Sequence, residues 1–362
     1  MRITKLDGLR GIFSLMIILF HYDKQYLPNY LDNFLINNSY VFVDFFFVLS
    51  GFVISYNYNS MSNYNSFFTY IKKRFIRLYP LHFYTNFLML IYILVTRLFL
   101  VKLLPQYFES LEFSFDKNIK PFFDSILLTN STPILGNTNG INYPSWSISS
   151  EIISYVVFGI ICVFFSKKNK TIVSILLITI SSYICFIFGD FFNGGDIGFL
   201  RGFVSFFLGF IIWKIYNKNK TFTVNKNLEL LIPVVFIYLI FTLDKLDSTQ
   251  QGLIFGIVSI PMFFSLSILL LLFSNGLLTK LLETRVFQFL GKVSFSVYLN
   301  HSLLLSILVK PIFRIVKPDL TDFNMLLVMI ILIGFTLIYS YFTYSLIENK
   351  FGKYLRNKFL KI

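Results

Sequence analysis

The sequence predicts an all-α fold: a polytopic transmembrane helix bundle of about ten spans, with both termini on the cytoplasmic side. Three observations carry that expectation. First, 56% of the 362 residues are hydrophobic and only 14% are charged. Soluble domains hold about 45–50% apolar and about 25% charged residues, so a soluble core would not absorb this much apolar surface. Second, apolar runs of roughly 20 residues, the length that crosses a hydrocarbon core, recur along the whole chain. Third, the formal net charge of +14 is not spread over a soluble face. Lysines and arginines fall in short clusters between apolar runs, as orientation signals do. No basic stripe with interleaved stacking aromatics is present, so no nucleic-acid partner is expected.

In chain order the runs fall at about 6–25, 41–57, 78–103, 146–166, 171–190, 197–216, 228–243, 252–273, 286–309 and 323–347. Arg2 and Lys5 precede the first, and no small-residue cleavage site follows it. It therefore reads as a retained span rather than a signal peptide. The stretch "YNSFFTYIKKRFIRLY" (64–79) is amphipathic and reads as a helix lying on the membrane surface. The longest loop, 104–145, carries Pro105, Pro121, Pro133 and Pro144. It is expected outside, covering the outer face or helping to form an acceptor cleft. Counting charge sets the orientation. The pieces assigned to the cytoplasm hold 20 of the 32 lysines and arginines, whereas the external loops hold twelve acids, Glu109, Glu112 and Asp319 among them. Residues 1–347 then form the transmembrane domain and 348–362 a basic cytoplasmic tail. Cys162 and Cys185 lie in apolar runs, without metal or disulfide spacing, and read as core.

Ionisable groups inside spans are costly and face a cavity or a partner, so they mark the candidate site. Arg10 and His21 are eleven residues apart, roughly three turns plus 20°, so both project from one face together with Asp7 and Ser14. The rise between them is roughly 16 Å, about half a hydrocarbon core. Arg10 then sits near the cytoplasmic side and His21 deeper, toward the outside. Read more simply, the stripe packs helices and Arg10 snorkels to the interface. Asp44 lies near the outer end of the second span. A buried acid there pairs with a cation or orients a histidine; an interfacial one is simply hydrated. Arg74 and Arg77 are i,i+3 and project together, and two guanidinium forks suit phosphates. Positive-inside anchoring explains most such clusters, and Lys72 and Lys73 alone would satisfy it. Glu151 enters a span about one and a half turns after Trp146, a residue suited to an interface belt. A Glu151–His21 pair would be general-base hardware. Arg201 enters its span from outside, as counter-charge for a carboxylate or to polarise a carbonyl. Ser294, Ser296, Asn300 and His301 put polarity into the ninth span, where His301 is most simply a hydrogen-bonded interior histidine. No G-x-x-x-x-G-K-[ST], H-E-x-x-H or G-x-S-x-G motif occurs, and no metal is expected.

Six stretches occur in one order: "LDGLRGI" followed by His21, "VDFFFVLSGF", "RFIRLYP", "WSISSE", "RGFVSFFLG" and "KVSFSVYLNHSLLL". Together they resemble the integral-membrane acyltransferase 3 family, whose members acylate extracytoplasmic glycans and other acceptors. The likeness runs from about residue 4 to 347. It departs at Ile152, where the family often has a second acid, and at Leu78, which replaces a common Ile. The resemblance implies an acyl-CoA donor, most often acetyl-CoA, reaching a site in the plasma membrane from the cytoplasm. Its phosphates would meet Arg74, Arg77 and Arg10, and its thioester arm would follow the Arg10–His21 stripe. A hydroxyl of an extracytoplasmic glycan or lipid-linked sugar would arrive from outside. His21 would act as general base or acyl carrier, with Glu151 or Asp44 holding the imidazole. Arg201, Ser296 or His301 would serve the oxyanion or the acceptor. The competing reading is a transporter or flippase of a glycan-lipid or small anion, with the polar stripe as its path.

Overall fold

The computed structural model describes residues 3–103, 114–136, 139–247, 249–316 and 320–360. Every regular element among them is helical. Ten long helices take up the ten expected runs in order. They are α1 (Thr4–His21), α2 (Phe42–Tyr58), α3 (Tyr64–Val95), α4 (Ser145–Phe164) and α5 (Lys167–Phe188), followed by α6 (Gly198–Lys218), α7 (Leu231–Lys245), α8 (Gln250–Phe273), α9 (Arg285–Val316) and α10 (Asp322–Thr343). Nine helices among the described residues are long and apolar enough to cross a membrane. Helix α1 is outside that count because its 18 residues include Lys5, Asp7 and Arg10. The chain is a multi-pass membrane protein. Pro105, Glu109, Glu112 and Asp319 lie outside the described residues.

Three expectations are corrected. The stretch 64–79 is not a separate surface helix: it is the first half of α3, which runs unbroken through Pro80. Asn63 starts the helix with a capping box to Ser66, which satisfies the first free N–H groups. A proline removes one helical bond, but membrane helices tolerate it when neighbours re-satisfy the backbone. Arg74 and Arg77 therefore stand roughly 15 and 20 Å along the helix from Tyr64, within the bundle. The second correction concerns the C-terminus. Helix α10 continues through a π-helical segment, Tyr344–Phe351, into a further helix, Gly352–Leu360. Glu348, the first residue of the segment read as a basic cytoplasmic tail, is buried. Third, Trp146 is no interface residue; it is 4% exposed.

Helices α1 and α9 begin at the same end of the bundle, where Nε2 of Gln288 donates to the carbonyl of Thr4 at 2.6 Å. They run parallel and meet at two glycines. A Cβ on Gly11 would come within 2.7 Å of the nitrogen of Gly291, and one on Gly291 within 2.1 Å of the carbonyl oxygen of Asp7. Only the missing side chains let the backbones approach this closely. Counting from this crossing, His21 and His301 each lie ten residues further along parallel helices. The crossing thus sets the two imidazoles at one height.

The loop before α4 does more than cover a face. It enters the bundle and buries Asp124, Ser125, Asn130, Ser131 and Asn142. Asn142 donates to the carbonyl of Leu299 on α9 at 3.0 Å, and Asn130 to the hydroxyl of Ser145 at 2.8 Å. These bonds bring Tyr143 and Pro144 beside α1.

Candidate active site

Two cavities lie against each other inside the bundle. The larger holds about 310 Å³ and is lined by Asp7, Arg10, Arg74, Arg77, Glu151 and Tyr155 among others. The smaller holds about 160 Å³ and is lined by His21, Tyr40, Tyr143, Trp146, Arg201 and Tyr298 among others. They share Val43 and Tyr298 in their walls. The stripe read from the first helix therefore divides: Asp7 and Arg10 serve one cavity, His21 the other.

The arginines differ in how far their neighbours hold them. Arg10 lies 3.4 Å from Asp7 in a partly exposed pair. Arg74 donates to the hydroxyl of Tyr58 at 3.0 Å and stacks over its ring at 4.9 Å, leaving a buried Nε without a partner among the described residues. Arg77 is paired with Glu348, whose side chain is 1% exposed. The second oxygen of Glu348 accepts from Ser296. In the sequence Glu348 follows the last apolar run and stands among cations, which hides its role; in the structure it lies within the π-helical segment and is buried.

The carboxylates expected beside His21 are elsewhere, each held by its own donors. Glu151 faces the arginine cavity and accepts from Ser50 at 2.6 Å and from Tyr155 one turn along α4. Asp44 is fully buried and paired with Arg201, whose Nη2 lies 2.7 Å from Oδ2 and whose Nε lies 3.2 Å from each carboxylate oxygen. Ser205 adds a bond to Asp44 at 2.7 Å. The remaining Arg201 contacts go to the carbonyls of Phe192 and Tyr40, both at 2.8 Å. The guanidinium also lies over Trp146, Phe191 and Phe192. Arg201 is thus the counter-charge of Asp44, and Ser296 is turned to Glu348 rather than to either cavity. Breaking such a buried pair costs about 3–5 kcal/mol, so Asp44 and Arg201 tie α2 to α6.

A second imidazole takes the place of the expected acid. Nδ1 of His301 lies 2.6 Å from the carbonyl of Tyr298. A carbonyl only accepts, so Nδ1 carries the proton and Nε2 keeps a lone pair. That Nε2 lies 3.2 Å from Nδ1 of His21, which is itself 2.9 Å from the carbonyl of Ile17. By the same argument Nδ1 of His21 is protonated, its hydrogen shared between Ile17 and His301. Nε2 of His21 then holds the free lone pair, and it has no hydrogen-bond partner among the described residues. This is the tautomer a general base needs.

The family model described as an acyltransferase domain matches residues 3–345. The chain belongs to the acyltransferase 3 family. It is an acyltransferase. A curated relative, protein 2 in the picA locus of Rhizobium radiobacter, is 30% identical over 165 residues, covering 44% of this chain and 81% of that protein. No solved structure matches. The acyltransferase's six ordered stretches converge on the two cavities: Arg10, Ser50, Arg74, Glu151, Arg201 and Tyr298 each come from a different one. No group of three or more His, Cys, Asp or Glu residues that would hold a metal ion is found among the described residues.

Proposed function

We propose that this membrane acyltransferase moves an acyl group, acetyl first among candidates, from cytoplasmic acyl-CoA to a hydroxyl of an extracytoplasmic glycan or lipid-linked sugar in the plasma membrane. The observation that carries the reading is the pair of adjoining cavities, one lined by arginines and the other holding an imidazole with a free Nε2. Arg10 and Arg74 receive donor phosphates, which guanidinium forks bind bidentately. Arg77, neutralised by Glu348, shapes the wall and adds a weaker attraction. The thioester passes the shared wall to His21. The acceptor hydroxyl gives its proton to Nε2 of His21. The positive charge that follows is met by the carbonyl of Ile17 and by His301, in the role a triad acid plays elsewhere. The departing thiolate then takes the proton back. Family membership sets the transporter reading aside.

Release of CoA thiol by the purified protein tests this directly. His21→Ala is expected to lower kcat by about 10²–10⁴-fold. The rise in Tm expected from saturating acetyl-CoA should survive, because in this scheme donor binding does not use the imidazole. Wild-type turnover in His21→Ala would remove the base from the scheme. A Tm shift unaffected by Arg74→Ala, or equal for an analogue lacking phosphates, would remove the arginines.

A further inference from the structure

This inference rests on the acyl-transfer reading and adds one catalytic group to it. We propose that the hydroxyl of Tyr298 donates the hydrogen bond that holds the oxyanion of the thioester's tetrahedral intermediate. The cavities have two wall residues in common, Val43 and Tyr298, which are 6% and 7% exposed. A thioester moving from the arginines to His21 passes between them. Val43 offers only methyl groups, so Tyr298 supplies the polar side chain of this pair. Its ring lies against Phe46, with centroids 6.0 Å apart. Its backbone carbonyl accepts from Nδ1 of His301 at 2.6 Å, which couples the phenol's position to the imidazole pair.

The proton of the phenol can be placed. The hydroxyls of Tyr298 and Ser147 are 2.8 Å apart. The Ser147 hydroxyl also lies 3.0 Å from the carbonyl of Pro144. That carbonyl only accepts, so the single Ser147 proton goes to it, and Tyr298 is the donor toward Ser147. At rest the phenol therefore donates to a neutral hydroxyl. An oxyanion is a much stronger acceptor. Turning the O–H from Ser147 to the developing charge stabilises the transition state more than the bound thioester, which is what raises kcat.

The step balances as follows. The acceptor oxygen bonds to the thioester carbon as its proton passes to Nε2 of His21. The carbonyl electron pair moves onto oxygen, which takes the hydrogen bond from Tyr298. Collapse re-forms the carbonyl, breaks the C–S bond, and returns the proton from Nε2 to the thiolate. The products are an ester and a thiol, with nothing oxidised or reduced.

Tyr298→Phe keeps the ring and removes the donor. Its kcat is expected to fall by about 10²–10³-fold, with the donor KM and the acetyl-CoA-induced rise in Tm as in the wild type. Wild-type kcat, or a loss that appears wholly in KM, would overturn the assignment. Should the variant not fold, 3-fluorotyrosine at position 298 keeps the shape and donates more strongly. It should raise kcat, and an unchanged or lower kcat counts against the proposal. His21→Ala in the same series separates the two readings. If His21→Ala is inactive and Tyr298→Phe is not, the oxyanion assignment alone fails. If His21→Ala is fully active, the reading beneath it fails.

Discussion

Glu348 shows what one carboxylate does inside the bundle. It neutralises Arg77 and accepts from Ser296, and its own side chain is almost wholly withdrawn from solvent. Removing only the cation strands a buried charge, which costs about 3–5 kcal/mol. Arg77→Ala should therefore lower Tm strongly, and adding Glu348→Gln should restore most of the loss. Equal, additive losses in the double variant would show that the two residues are not coupled. Arg74→Ala should behave differently, weakening donor binding more than folding, because among the described residues its cationic head is held by the phenol of Tyr58 rather than by an acid. The sequence marks both arginines, since their i,i+3 spacing aims them together. It does not mark the acid 271 positions away that pairs with one of them. Local spacing carries no information about which distant segment will face a side chain. The same limit hid the Asp44–Arg201 pair, across 157 positions. There each residue was legible as costly and in need of a partner, but the partner was not.

Among the elements, the crossing of α1 and α9 has the most consequence for chemistry. Two glycines let the backbones touch, and the equal ten-residue offsets from them bring His21 to His301. Gly291→Leu would place side-chain atoms where the carbonyl of Asp7 stands. Overpacking of this kind costs about 1–3 kcal/mol. The helices would part, and the 3.2 Å contact between the imidazoles would be lost. Turnover should then fall well beyond what the drop in Tm accounts for, read by measuring kcat and Tm on one preparation. Unchanged turnover would mean that the pairing of the two rings does not matter. The extents of the helices were mostly legible, because a hydrocarbon core demands runs of a fixed length. Helix α3 was the exception. A charged half followed by proline reads as a surface helix and a restart, yet Arg74 and Arg77 line a cavity, where Tyr58 and Glu348 hold them, and the helix continues.

At the scale of the whole molecule, composition and apolar runs were enough for an all-helical membrane bundle, and six ordered stretches were enough for the family. What periodicity does not contain is the neighbour list of the helices. That list decides that Glu151 joins the arginines, that His301 rather than an acid supports His21, and that Tyr298 stands where the two cavities meet. In the proposed mechanism the two cavities are one reaction path. The most direct test is a cryo-EM structure with a thioether analogue of acetyl-CoA, in which sulfur chemistry cannot turn over. Phosphates are expected on Arg10 and Arg74, and the acyl carbon between Val43 and Tyr298. There an acceptor oxygen on the His21 side would stand about 3–3.5 Å away. An acyl group lodged among lipid-facing side chains, or phosphates bound away from both arginines, would contradict it.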